Sequence, residues 1–174
     1  MRANVFFAVL ASALVNAVAI AAGRGSFAHY LAVFALGIYV GVPAAVICLC
    51  SWLVRDRFPF AGRMARGAGL VACVSASALL SLVPGTALAK RDIAAARSYC
   101  DSLIPAIDQY QRTHGVFPSN IVFVAKDREV PRLLRGVTYY WSDGNEFIIN
   151  FGDPRGMMNF IGYSSETRRW SEWH

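Results

Sequence analysis

The first half of the chain contains three long apolar segments, which run over about residues 3–22, 30–54 and 67–89. Each segment has the roughly 20 residues that a helix needs to cross the hydrocarbon core of a bilayer. None of them contains an acidic or basic residue. Because unpaired backbone groups are costly in lipid, the pattern predicts three transmembrane helices in residues 1–89.

The second half of the chain, residues 90–174, first follows a helical period. From Asp92 to Thr113 apolar residues recur every three or four positions, which is typical of one face of an amphipathic helix. Pro105 predicts a kink or a restart within this helix. The apolar positions are Ile93, Ala96, Cys100, Leu103, Ile104, Ile107 and Tyr110.

The pattern then changes to the period of β-strands, after a predicted loop that contains residues 125–134. Asp143-Gly144 separates the first two strand segments and is a strong hairpin signal. The helix and one face of an antiparallel meander can bury each other, which predicts a two-layer α+β domain of three or four strands. The strand segments are residues 136–142, 145–151, 158–164 and 168–173.

The charge of the chain supports a membrane protein with a defined orientation. Residues 1–89 contain six arginines and one acidic residue, whereas residues 90–174 contain eleven basic and ten acidic residues. Four of the arginines lie in residues 55–67, between the second and third apolar segments, and such loops stay in the cytoplasm. We therefore expect a multi-pass protein of a bacterial inner membrane with a cytoplasmic N-terminus and a periplasmic C-terminal domain. The basic pI of about 9.5 reflects these loops and does not indicate nucleic-acid binding.

Two processing events are alternatives to three retained helices. The first apolar segment follows Arg2, as in a signal peptide, but it is long and leads into a second span. Ala87 and Ala89 form an A-x-A pattern before Lys90, at which signal peptidase would release the second half. Pro84-Gly85 also suits a span that ends at the membrane interface, and the sequence leaves cleavage after Ala89 open.

Small residues recur at helical spacing on the second and third apolar segments, which favours close packing of helices. The segments hold no charged residue at membrane depth, so a transporter or channel is not indicated. The candidate packing residues are Gly37 and Gly41 on the second segment, and Gly69, Cys73 and Ser77 on the third.

The residues that could carry out catalysis or bind a metal do not form a recognised constellation. Cys100 and His114 lie about 20 Å apart along a helix with a rise of 1.5 Å per residue, so they cannot form a nucleophile–base pair. Asp153 in the segment Gly-Asp-Pro-Arg-Gly is one carboxylate beside an arginine, whereas calcium requires several oxygen ligands. No cofactor, metal site or small-molecule substrate is expected, and the protein is not predicted to be an enzyme.

The second half resembles the globular domain of type IV pilins and type II secretion pseudopilins. The resemblance covers roughly residues 92–172 and is carried by the helix end and by the closing segment of residues 151–170. It implies a pilin-like fold in which Tyr110, Gly115, Phe117 and Pro118 form a structural motif after Ile107. Tyr110 is the last apolar residue on the helical face, so its ring is expected to lie against the sheet. Gly115 is expected to close the helix with a positive φ, and Phe117 with Pro118 to direct the chain back over the core. Pilins carry a glutamate near the start of one apolar helix, whereas the three apolar segments here have none, so filament assembly is not expected.

The sequence predicts a non-enzymatic membrane protein that displays a pilin-like domain for contacts with another envelope protein. Two other roles need the same features. One is a membrane immunity protein that neutralises a toxin, and the other is an accessory subunit of a secretion or envelope complex. The sequence leaves the identity of the partner and the oligomeric state open.

Overall fold

The computed structural model describes residues 2–125 and 129–173, and they divide into two compact units, residues 1–88 and 89–174. Part of the loop predicted at residues 125–134, namely 126–128, lies outside the described residues. The division falls one residue before the boundary that the sequence suggested. Each unit has its own packing.

The first unit is helical. A π-helix, Gly37–Gly41, joins two of its helices, and a 3-10 turn, Ala78–Ser81, precedes the helix that leaves the unit. The polar segment between the second and third apolar stretches forms the turn that connects the corresponding helices. The helices are α1 (Arg2–Gly23), α2 (Phe27–Leu36), α3 (Val42–Leu53), α4 (Ala61–Ser77) and α5 (Leu82–His114).

Three continuous helical stretches are long and apolar enough to cross a membrane, as judged by length and composition. They are Phe6–Gly23, Phe27–Leu53 and Ala61–His114. The last stretch is much longer than the span predicted at residues 67–89, because the helix does not end after the apolar segment.

The third helical stretch continues past both prolines, so the span end predicted at Pro84-Gly85 and a restart at Pro105 do not occur. Pro84 lies in the first turn of α5, directly after the 3-10 turn, where a missing backbone donor costs little. Pro105 lies inside α5, and no restart occurs there. The side chains of Leu103 and Ile107 on either side of Pro105 are fully buried, so packing offsets the cost of the proline.

The second unit is a four-stranded antiparallel sheet packed on the C-terminal part of α5, which confirms the predicted meander. Its strand order is β1-β2-β3-β4, and 3-10 turns at Ile121–Phe123 and Arg132–Leu134 lie in the connection from α5. The first strand is shorter than predicted. The strands are β1 (Tyr140–Ser142), β2 (Phe147–Gly152), β3 (Phe160–Ser164) and β4 (Arg169–Trp173).

The core of the second unit lies between the apolar face of α5 and the inner face of the sheet. The predicted positions on α5 are buried at Ile93, Ala96, Cys100, Leu103 and Ile107. On the sheet the alternation of β2 points three apolar side chains to the same face. The sheet residues of this core include Tyr140, Phe147, Ile149, Phe151, Ile161 and Tyr163.

Candidate interaction surface

The turn that closes α5 has the conformation predicted for it. Gly115 has a φ of 78°, a left-handed conformation that glycine adopts without steric cost. Its amide donates to the carbonyl of Gln111 at 2.8 Å. The helix therefore ends at this glycine, and the chain returns towards the sheet.

Phe117 and Pro118 direct the chain back over the core. The ring of Phe117 lies edge-on to that of Phe147, with centroids 5.0 Å apart. Pro118 is buried, and its carbonyl accepts a hydrogen bond of 2.8 Å from the Tyr140 hydroxyl. Burial is the main cause that raises the pKa of Tyr140 above its usual value, because the phenolate would lose its hydration.

The prediction that Tyr110 packs against the sheet is wrong. Its half-buried ring stacks on His114, with centroids 4.0 Å apart, and lies 6.4 Å from the ring of Phe123. Tyr110 does not belong to the core cluster, which ends on α5 at Ile107. The reason is tertiary: Phe117, returning after the turn, supplies the aromatic ring at this end of the core.

Two of the predicted packing glycines allow close approach of helices in the first unit. A Cβ atom at Gly41 would lie 3.1 Å from the Cβ of Ser75, and one at Gly69 would lie 3.2 Å from the Sγ of Cys48. Ordinary Cβ contacts are longer than these distances. The small side chains therefore set the separation between the second helical stretch and α4.

The other predicted packing residues have different surroundings. Gly37 and Cys73 line an open apolar groove in the first unit, and a Cβ atom at Gly37 would have no described neighbour within 4 Å. Ser77 donates to the Val74 carbonyl at 2.7 Å and lies 3.3 Å from the donating Nδ2 of Asn16. Ser77 thus contributes to polar contact between α1 and α4.

A buried histidine makes two side-chain hydrogen bonds in the first unit, and the sequence did not reveal them. His29 is 3% exposed. Its Nδ1 accepts from the amide of Gly25 at 3.0 Å, and its Nε2 lies 2.9 Å from the Oγ of Ser81. Ser81 is 52 positions away in the chain, so local periodicity could not pair the two residues. The glycines around the ring (Gly23, Gly25 and Gly85) were the available signal.

His29 and Ser81 do not have the arrangement of a catalytic pair. The hydroxyl of Ser81 donates to the Ala78 carbonyl at 2.6 Å, so it accepts from His29. A nucleophilic serine must instead donate its proton to the histidine. Ser81 is also only 1% exposed, which leaves no path for a substrate.

The other candidate reactive side chains, Cys100 and Asp153, are also buried. Burial raises the pKa of the Cys100 thiol to about 12, which makes it a poor nucleophile. Asp153 is buried and forms an ion pair with Arg155, with 2.6 Å between Oδ2 and Nη2. Within residues 2–125 and 129–173, no three His, Cys, Asp or Glu residues cluster as metal ligands would.

Strand β4 is fixed to α5 by polar contacts at the edge of the core. The Nε1 of Trp170 donates to the Oδ1 of Asp101 at 2.8 Å, and the guanidinium of Arg97 lies 5.3 Å from the centre of the indole. Arg168 donates to both carboxylate oxygens of Asp108, at 2.8 and 3.0 Å. These contacts fix the inner side of β4 and leave its other side free of contact with α5.

The outer face of the sheet carries an exposed apolar surface. The register places Trp141 opposite Ile148 at one end of this face, and Phe160 opposite Trp173 at the other. Trp141 is 57% exposed, Phe160 45% and Trp173 44%. We call these four residues the outer-face patch.

Two features extend and shape the outer-face patch. The β2–β3 loop, which leads into Phe160, carries the exposed side chains of Met157 and Met158. Between the two ends of the patch lies Gly162, where a Cβ atom would be 3.8 Å from the Cζ2 of Trp173. The indole therefore lies across the sheet at this glycine, and its Nε1 donates to Ser171 at 2.6 Å.

The protein thus belongs to a general class: a helical unit whose long helices are apolar enough to span a membrane, combined with a small unit of one helix and an antiparallel sheet. No family model, curated protein or solved structure matches the chain. Its function is therefore inferred from its own residues.

Proposed function

We propose that the protein is a non-enzymatic integral membrane protein whose second unit binds another envelope protein through the outer-face patch. The observation that carries this proposal is the exposure of Trp141, Phe160 and Trp173 on one face of the sheet. Large apolar side chains that a folded unit exposes together on one face mark interaction sites. Tryptophan dominates the binding energy of many protein interfaces.

The chemistry of the patch suits a protein partner. Aromatic residues and methionine are enriched at the centres of protein interfaces, with polar residues at the rim. On the outer face, Arg169 lies opposite Ser164, and Ser171 lies opposite Gly162. Groups that can donate and accept hydrogen bonds thus lie on the same face as the apolar side chains at the two ends of the patch.

The first unit supplies the membrane anchor in this proposal. The segment that joins α3 to α4 and the start of α4 contain Arg55, Arg57, Arg63 and Arg66, and such arginine-rich connections stay in the cytoplasm. The N-terminus is then cytoplasmic, and the second unit is periplasmic in a bacterial inner membrane. The order of helix and meander agrees with the pilin-like domain that the sequence resembles.

The proposal is tested by photo-cross-linking in cells that express the full-length protein. A photoreactive amino acid at Phe160 should give an adduct of discrete mass, whereas one at Ser102, on the exposed side of α5, should not. Trp141→Ala with Trp173→Ala should reduce the adduct on the order of tenfold or more. Val122→Ala, which removes an apolar side chain outside the patch that is more exposed than these aromatic residues, should leave it unchanged.

Mass spectrometry of the adduct distinguishes the possible partners. A pilus or secretion component supports the role as an accessory subunit of an envelope complex. A toxin, with its gene beside that of this protein, supports the immunity role. Adducts with lipid only, or equal adducts from Phe160 and Ser102, would contradict binding of a protein at the outer-face patch.

A further inference from the structure

The turn between α1 and α2 packs so closely against the start of α5 that the contact has no room for an additional side chain. Gly25, in this turn, has a φ of 72°, and a Cβ atom there would lie 2.2 Å from the Gly85 carbonyl oxygen. A Cβ atom at Gly85 would in turn lie 2.8 Å from the Cε1 of His29. The turn, the histidine ring and the first turn of α5 therefore form one closely packed contact.

The hydrogen bonds of this contact allow only the neutral form of His29. The amide of Gly25 donates to Nδ1, so Nδ1 carries no proton and the proton of the neutral ring is on Nε2. Nε2 donates to the hydroxyl of Ser81, which donates to the Ala78 carbonyl. Every polar atom of the ring is paired in this one state.

Within the first unit, the described segments that pack on His29 contribute no acidic side chain. The turn contributes Arg24, which is itself basic, and α2 contributes Tyr30, whose hydroxyl is 2.7 Å from the Oγ1 of Thr86. The oxygen of Thr86 donates to the Leu82 carbonyl, so Tyr30 donates to Thr86. The 3-10 turn and residues 82–88 of α5 carry no acidic residue, and the single acidic residue of residues 1–88, Asp56, is 91% exposed beside Arg55.

We propose that His29 is a pH-sensitive switch that holds the α1–α2 turn on the start of α5 when neutral and releases it when protonated. A proton on Nδ1 would face the N–H of Gly25, which leaves two donors opposed at 3.0 Å around a ring that is only 3% exposed. Rotation of the ring does not help, because the Gly25 amide cannot accept. Protonation and the closed contact are therefore incompatible.

The direction of the pH effect follows from linkage. The released state, in which His29 reaches water, binds the proton more readily than the closed state. The closed state is then stable at neutral and alkaline pH and loses stability as the pH falls. Histidine is the side chain that titrates in the range of about pH 5 to 8. Release frees the first turn of α5, the helix that continues to His114 and carries the buried face of the second unit.

Electron paramagnetic resonance of the full-length protein in nanodiscs tests the switch. Both faces of a nanodisc contact the buffer, so the result does not depend on the orientation in the membrane. A spin label is placed at Phe27→Cys, an exposed position beside the turn, after Cys48, Cys50 and Cys73 are replaced by alanine; Cys100 is fully buried. The label should become more mobile as the pH is lowered from about 8 to about 5. A label at Leu14→Cys, exposed in the middle of α1, should not change.

The matched control is His29→Gln. Glutamine can accept from Gly25 and donate to Ser81, but it does not titrate. In this variant the label at position 27 should have the same mobility at both pH values. An unchanged spectrum with the natural histidine, or an equal change in the glutamine variant, would overturn the proposal.

A second measurement does not depend on whether the glutamine variant folds. Nitrogen NMR of the protein with labelled histidine reports the protonation of each ring nitrogen directly, and His114→Gln and His174→Gln variants assign the remaining signals to His29. At about pH 8 only Nε2 should carry a proton, and Nδ1 should become protonated over the same pH range in which the label becomes mobile. A His29 ring that is still neutral when the label has become mobile would overturn the switch.

Discussion

At the scale of single residues, a side chain acts through the neighbours that the fold brings to it. Tyr110 and Phe117 are both aromatic and lie on either side of Gly115, yet only Phe117 enters the core. The difference arises because Gly115 reverses the chain and places the later residue over Phe147. The two residues can therefore be compared directly.

Replacing Phe117 with alanine should destabilise the second unit by about 3–5 kcal/mol, the usual cost of truncating a buried aromatic side chain. Tyr110→Ala removes a half-buried ring that stacks mainly on His114, and such pairs contribute about 0.5–1.5 kcal/mol. The labelling rate of the buried Cys100 thiol in increasing urea, with the other cysteines replaced, measures the unfolding of this unit. Equal losses in the two variants would contradict the packing described for Phe117.

A second prediction at this scale concerns Tyr139, which is buried near Tyr99. Burial first, and then the neighbouring Tyr99 hydroxyl, raise the pKa of Tyr139. The unfolded chain therefore loses its proton at lower pH than the folded unit, near the ordinary tyrosine pKa of about 10. The stability contribution is present below that pH and is lost as the pH rises above it.

Urea titrations followed by Cys100 labelling would be difficult at high pH because thiol reactivity changes, so near-ultraviolet circular dichroism is the better measurement here. The urea concentration at the midpoint of unfolding should decrease as the pH is raised from about 9 to about 11. Tyr139→Phe should reduce this fall. A variant with the same fall as the natural protein would show that other groups cause it.

At the scale of elements, close packing decides where helices begin, continue and meet. Helix α5 continues through Pro105 because the residues on both sides are buried, and it accepts Pro84 because that residue lies in its first turn. The α1–α2 turn lies against the start of α5 because neither Gly25 nor Gly85 has a side chain. The turn should therefore be the most sensitive connection of the first unit.

Gly25→Ala should disrupt this connection. Alanine is disfavoured at a φ of 72° by about 1–2 kcal/mol, and its Cβ would lie 2.2 Å from a backbone oxygen that cannot move alone. The matched control is Gly62→Ala on α4, a helical position with no described atom within 4 Å of an added Cβ, which should be stabilised by about 0.5–1 kcal/mol. Thermal melts of the full-length protein in detergent distinguish the two variants, and a Gly25→Ala protein as stable as Gly62→Ala would contradict the close contact.

At the scale of the whole molecule, the uneven distribution of charge corresponds to the two units. Five of the six net positive charges belong to residues 1–89 and one to residues 90–174. The apolar helices with arginine-rich connections suit a membrane, and the balanced second half suits water. This contrast leads to a prediction about orientation.

An alkaline phosphatase reporter fused after residue 174 should be active, because the second unit is proposed to be periplasmic. The same reporter fused at Arg63 should be inactive, because the arginine-rich segment is proposed to be cytoplasmic. Immunoblots of both fusions control for expression. The opposite pattern of activity would reverse the orientation and would place the outer-face patch in the cytoplasm.

The sequence by itself determined the features that depend on periodicity and local chemistry. The three apolar stretches, most of the buried face of α5, an antiparallel meander of three or four strands and the left-handed turn at Gly115 could all be read from the order of residues. Each of these depends on side chains that are close in sequence or on the preference of one residue for one conformation.

Only the tertiary structure decided which distant residues meet. It placed Ser81 beside His29, allowed α5 to continue through two prolines, and excluded Tyr110 from the core in favour of Phe117. It also sorted the aromatic residues of the strands into a buried set and the exposed outer-face patch. Such outcomes depend on packing between segments that are far apart in the chain, and packing can override local preferences by several kcal/mol.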